Sequence, residues 1–228
     1  MNHRPWNLAS VVVVIWCGTA AAYVFQNPLT PSPDRQTRCL IRGTSPSKTR
    51  ARIRVAAPIA GDRVTSESSK LLIFNSVPGG TTCVSYTLPP WTEKHGNFYY
   101  RDRQLAISPV WRASLIADRP RFNLRSSTSQ PLNYALNAAH QGGVAVIFIT
   151  PYGPTCSAFG PPCSTDADCG GAPGSCQDSR VENCVNFVSP IKDEPGTFLS
   201  RTAAPITSCP TPPPGCSPSG AFLDPVGD

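Results

Sequence analysis

The chain has 228 residues, among them 26 prolines, with 15% charged residues and a formal charge of +6. That length suits one domain of ordinary size with a small appendage. Proline at about twice its usual share, few charges and little helical periodicity argue against a helix bundle and for extended strands and turns.

The N-terminus has the layout of an export signal. A short basic head is followed by the apolar run at residues 8–17, LASVVVVIWC, and then by Ala20, Ala21 and Ala22, which offer a cleavage site after Ala22. The apolar stretch is at most about 18 residues long, short of the roughly 20 a spanning helix needs, so a membrane association is expected only if the signal stays uncleaved. Cleavage removes Cys17 and leaves nine cysteines. An exported chain uses them as disulfides, and an odd number leaves one over.

Residues 23–38 are proline-bearing and read as a stiff linker. The first strand is expected at 49–55, TRARIRV, where Arg50, Arg52 and Arg54 alternate with apolar residues. Such a strand covers a core on one side and faces water on the other. A hairpin follows: KLLIFN at 70–75, the reversal SVPGG at 76–80, and TTCVSYTL at 81–88. In its second arm Val84, Tyr86 and Leu88 share one face, Cys83, Ser85 and Thr87 the other, and Pro89-Pro90 ends the ladder. Further strands are expected at 97–101, 105–107, 110–116 and 121–125, and the one helix candidate, 131–140, is too short to decide. The run VAVIFIT at 144–150 is apolar throughout and reads as a strand buried on both faces, ended by Pro151. Beyond it residues 153–184 hold few core formers; GTFLSR at 196–201 is one more strand, and 211–228 is expected to be a disordered tail. Short strands with frequent turns predict an all-β, mostly antiparallel β-sandwich, immunoglobulin-like or similar, over residues 39–210, with a cysteine-rich loop insertion at 161–186.

That insertion carries Cys163, Cys169, Cys176 and Cys184 with spacing C-x5-C-x6-C-x7-C. A zinc ribbon needs close C-x2-4-C pairs and a redox motif needs C-x-x-C; neither is present. The expectation is a disulfide staple with no metal and no cofactor. Asp166 and Asp168 lack the acid and glutamate that a calcium loop requires further on, and read as turn residues that accept amide hydrogens. Four cysteines allow three pairings, and spacing does not choose among them.

The segment from Cys163 to Cys169, C-x-x-D-x-D-C, resembles modules of exported proteins and half of the whey acidic protein motif. It lacks that motif's Cys-Cys pair, so protease inhibition does not carry over. Over residues 39–210 the succession KLLIFN, FYYRD, CSAFG and FLSRTAAPITSCP resembles a family of uncharacterised exported bacterial β-proteins. The resemblance implies a secreted β-domain with the cysteine module inserted between Cys156 and Cys209. It further implies the pairings Cys156–Cys209, Cys163–Cys176, Cys169–Cys184 and Cys39–Cys83, leaving Cys216 over.

No G-x-S-x-G, H-E-x-x-H, P-loop or G-x-G-x-x-G motif is present. His95 and His140 read as solvated turn residues, and Glu93 and Asp102 are the carboxylates on which a hydrolase reading would rest. Trp91, Tyr99, Tyr100 and Trp111 read as sandwich core, with sugar or peptide contact as their other use. Residues 23–155 hold 16 basic and 6 acidic residues; residues 156–228 hold 3 and 8. The leading expectation is therefore a non-catalytic secreted or cell-surface module, structural or adhesive. The second is a binder of surface polysaccharide or another polyanion through Arg50, Arg52 and Arg54. The third is an extracellular hydrolase. Export makes nucleic acid an unexpected partner.

Overall fold

The computed structural model describes residues 23–216 apart from 30, 32–36, 44, 46–47, 58–68, 89, 118, 135, 137–139 and 158–160. The export signal expected at 1–22 and the tail residues 217–228 lie outside the described residues. Among the described residues thirteen strands form two sheets. The five-stranded sheet has the order β1 (Tyr23–Pro28), β11 (Gln177–Val188), β10 (Gly143–Thr155), β4 (Ser69–Asn75) and β5 (Cys83–Leu88). The eight-stranded sheet runs β12 (Lys192–Glu194), β13 (Thr197–Ser200), β2 (Arg38–Arg42), β3 (Arg50–Arg54), β9 (Arg119–Arg125), β8 (Val110–Ile116), β7 (Asn97–Arg101) and β6 (Thr92–Lys94). Pairing is antiparallel throughout except for β1 on β11.

Alternation along the strands makes the sandwich. Ile41 on β2, Ile53 on β3, Phe122 on β9 and Phe198 on β13 meet Leu71 and Ile73 of β4, Val146 and Phe148 of β10 and Phe187 of β11 in one core. Of the four aromatic residues read as core, Trp91 and Tyr100 belong to it, while Tyr99 and Trp111 are half-buried outside it. Trp91 packs edge-on against Phe148 at 5.8 Å, and its indole N–H donates to Ser69 at 3.2 Å. The hairpin turn of β4 and β5 is a type II reversal. Pro78 supplies its first central residue, Gly79 its positive φ of 79°, and the Gly80 amide donates to the Val77 carbonyl at 3.0 Å.

A second, smaller core covers the outer face of the five-stranded sheet. Leu72 and Phe74 of β4 and Ala145, Ile147 and Ile149 of β10 pack there under Ile206, Cys209 and Cys216. The chain after β13 is thus a strap laid across that face. It explains why residues 144–150 read as buried on both sides.

Several expectations need correction. Residues 23–28 are not linker but strand β1, whose register on β11 runs from Tyr23 opposite Ser179 to Pro28 opposite Cys184. The insertion is shorter than 161–186, because Gln177–Val188 is a central strand of the sheet. Residues 211–216 of the expected tail are strap, and Cys216 is buried. Pro151 does not end β10. Both Pro151 and Pro154 sit beyond Ile149, the last residue opposite β4, where a missing amide donor costs no second ladder. Residues 105–107 form a loop rather than a strand, and the described part of 131–140 is irregular, with Leu132 and Tyr134 in the core.

Candidate functional site

The outer face of the eight-stranded sheet is built by simple alternation. Strand β3, RARIR, sends Ala51 and Ile53 inward and leaves Arg50, Arg52 and Arg54 exposed. Its neighbours are patterned the same way. Cys39 and Ile41 of β2 and Phe122 and Leu124 of β9 point into the core, so Arg38 and Arg42, Arg121 and Arg125 point out.

Strand register then sorts these side chains into rows. One row sets Arg42 opposite Arg50 and Arg50 opposite Arg125. A second sets Arg38 opposite Arg54 and Arg54 opposite Arg121, continuing to Ser114 and Tyr99. The middle row runs Leu40, Arg52, Asn123, Arg112, Arg101. Neighbouring strands are about 4.8 Å apart, so guanidinium groups from five strands share one face of the sheet. Like charges directly opposite each other on a sheet destabilise it. Glu194, two strands beyond Arg42 in the first row, is held by Lys192 at 2.6 Å. The face extends the basic strand expected from Arg50, Arg52 and Arg54 to its neighbours on either side, which single-strand reasoning missed.

At one end of the two longer rows lies a cleft of 320 Å³ beside Tyr99 and Arg101. Its wall is the loop after β7, and Asp102 braces that loop. One carboxylate oxygen of Asp102 accepts from the Gln104 amide and the other from the Ile107 amide, each at 3.1 Å. Leu105, buried and at a φ of 52°, anchors the loop from below. Asp102 is thereby engaged in loop structure, and Glu93 sits exposed on the three-residue strand β6. The structure does not bring the two together as an acid–base pair in a buried site. His95 is exposed in the turn from β6 to β7, at φ 53°, and His140 donates from Nδ1 to the Asp193 carbonyl.

Among the described residues the cysteines form four disulfides: Cys83–Cys216, Cys156–Cys169, Cys163–Cys176 and Cys184–Cys209. The expected Cys163–Cys176 pair is present. Three expected pairs are corrected. Cys39 cannot reach Cys83, because Cys39 faces the sandwich core while Cys83 shares the outer face of β5 with Ser85 and Thr87. Cys39 stays a free, fully buried thiol, and burial pushes its pKa up. Cys83 instead takes Cys216, and Cys184, outward on β11, takes Cys209; these two bonds fasten the strap. Cys156 joins the module rather than bracketing it. Its bond to Cys169 interleaves with Cys163–Cys176, each spanning 13 positions. The Sγ atoms of Cys156, Cys163 and Cys169 lie within 4.8 Å of one another, but each is bonded to another sulfur and offers no thiolate to a metal.

Inside the module Asp166 accepts the amides of Cys176 at 2.8 Å and Gly174 at 2.9 Å. Asp168 accepts those of Ser164 and Thr165 at 2.8 and 3.0 Å. These amides hold both carboxyls below the ordinary carboxylate range. Both aspartates thus take the turn role read from the sequence.

Four disulfides are the cysteine usage of a chain folded in an oxidising compartment. Among the described residues no helix is long and apolar enough to cross a membrane. No family model, curated protein or solved structure matches the chain.

Proposed function

We infer that this chain is an exported, non-catalytic β-sandwich that binds a polyanion on the arginine face of its eight-stranded sheet. One observation carries the reading: the register of β2, β3 and β9 stacks arginine on arginine on arginine, twice, on a solvent-facing surface. In the row of Arg42, Arg50 and Arg125 a fold gains nothing from this arrangement, since each opposed pair repels its neighbour. A string of anionic groups turns the repulsion into affinity. Arginine also suits the task better than lysine, because its planar fork takes carboxylate, sulfate or phosphate oxygens two at a time. The strap supports the same reading by sealing the opposite outer face with apolar contacts, which leaves the arginine sheet as the open one. A purely structural or adhesive module needs no such ladder.

The test is retention on immobilised heparin in a salt gradient. The wild type is retained at low ionic strength and released as salt rises, because binding rests on counterion release. The triple variant R42S/R50S/R125S, which empties one row without touching the core, elutes far earlier with an unchanged circular dichroism spectrum. A wild type that passes through at low salt refutes the reading.

A further inference from the structure

The cleft beside Tyr99 says what kind of polyanion this face takes. The geometry points to an acidic polysaccharide, one of whose sugar rings sits in the cleft while its anionic groups run along the arginine rows; this rests on the polyanion reading above. Three observations carry it.

The first is the chemistry of the walls. The aromatic ring of Tyr99 and the aliphatic surfaces of Pro90 and Ile107 line the cleft together with Thr92, Arg101 and Asp102. A sugar ring has the matching surface, an apolar C–H face with a polar rim. Aromatic side chains present a large apolar face at low entropy cost. Each Asp102 oxygen accepts one amide and keeps further acceptor capacity, so the polar side chains lining the cleft are Asp102, Thr92, Tyr99, Tyr100 and Arg101.

The second is that the cleft is built in advance. Ile107 is 56% exposed, yet its amide is tied to Asp102, and the Asp102 amide in turn donates to the Trp111 carbonyl at 3.0 Å. An exposed apolar side chain on a braced loop costs little further ordering when a ligand covers it.

The third is continuity. Arg101 ends the row of Arg52, Asn123 and Arg112, and Tyr99 ends the row through Arg121 and Ser114. A chain bound in the cleft therefore leaves it directly onto guanidinium groups. Single-stranded nucleic acid is recognised differently, by several aromatic platforms that stack successive bases. Among the paired outward positions of β2, β3, β9, β8 and β7, Tyr99 is the one aromatic residue, and Trp111, half-buried at the bulge of β8, is the other aromatic of these strands outside the core.

The experiment compares three probes of similar charge: a hexamer of a linear polyuronate, a short inorganic polyphosphate and a single-stranded oligonucleotide. Each is titrated into the wild type, Y99A, I107S and R42S/R50S/R125S. Ile107 is exposed and Tyr99 half-buried, so I107S keeps the test valid if Y99A folds poorly. Y99A and I107S are expected to weaken the uronate hexamer roughly tenfold, the loss that follows from some tens of Å² of apolar contact. Both should leave polyphosphate within twofold of wild type, whereas the triple variant loses both probes. If both cleft variants bind the hexamer as tightly as wild type while the triple variant fails, the cleft assignment falls and the arginine face stands. A Y99A effect confined to the oligonucleotide makes the occupant a nucleic acid and overturns the sugar. A wild type that binds none of the probes removes both readings.

Discussion

Arg50 is the most informative single position, because stability and binding should change in opposite directions there. Its side chain lies between those of Arg42 and Arg125 on the exposed face. With guanidinium groups splayed to about 7 Å, each repulsion is about 0.6 kcal/mol in bulk water before screening. The screening length is about 30 Å at 0.01 M salt, about 10 Å at 0.1 M and about 3 Å at 1 M. The two neighbours together then cost about 1 kcal/mol at 0.01 M, about 0.6 kcal/mol at 0.1 M and almost nothing at 1 M. Arg50→Thr removes this repulsion and keeps a residue that favours strands. For a chain of this size the expected rise in Tm is about 2–4 °C at 0.01 M, shrinking towards zero at 1 M. Arg103→Thr, on the exposed loop after β7, removes the same charge away from the rows and serves as the control. Scanning calorimetry across the three salt concentrations measures the effect, and heparin retention of the same variant should fall. A Tm that drops at 0.01 M, or a gain equal at 0.01 M and 1 M, refutes the repulsive ladder.

Three further outcomes follow from the geometry. Cys216→Ser releases the end of the strap over Phe74 and Ile147 and should cost about 2–4 kcal/mol, read as a lower Tm and as new binding of an apolar dye. Asp166→Ala should speed hydrogen exchange at the amides of Gly174 and Cys176. In the wild type the protection is present above the ordinary carboxylate value and is lost as pH falls through the depressed one, so exchange at these two sites should rise in acid even after correction for intrinsic rate. Glu182 runs the other way: burial raises its pKa against the pull of Arg180 at 3.8 Å. The folded state then binds more protons than the unfolded one between the ordinary and the raised value, and stability falls as pH rises through that window. Glu182→Gln should therefore gain on the wild type in Tm as pH climbs from 4 to 7, and a difference that stays flat across that range would show the carboxyl to be solvated.

The strands legible in the sequence were those whose pattern is local. RARIR announces its two faces by alternation alone, and the apolar run at 144–150 implies a cover on both sides, which the sandwich core and the strap supply. Strand β11 escaped because Glu182, Asn183 and Asn186 break its apolar pattern, although Val181, Val185 and Phe187 alternate as they should. Asn183 is tolerated because it pairs with the side chain of Asn27 at 2.7 Å and reaches the Phe148 carbonyl, partners from two other strands that no local window contains. The disulfides failed for a related reason. The parity of β5 already separated Cys83 from the core-facing residues, but the parity of β2 that turns Cys39 inward needs a strand boundary the sequence did not yield. The arginine rows are non-local in the same sense. Each arginine is visible as a basic residue, while their alignment exists only through the register of β2, β3 and β9.

A β-sandwich has two outer faces, and this chain treats them oppositely. On the five-stranded sheet the outward positions of β4 and β10 are Leu72, Phe74, Ala145, Ile147 and Ile149, and two disulfides hold a strap over them. Had the eight-stranded sheet needed only to be soluble, mixed charges at its outward positions would have served with less repulsion. Instead those positions carry one sign of charge across five strands, and the aromatic residue among them stands at the mouth of a cleft. One face is covered apolarly, and the other carries arginine rows across five strands. That asymmetry, rather than the arginine count, is what supports the proposed site.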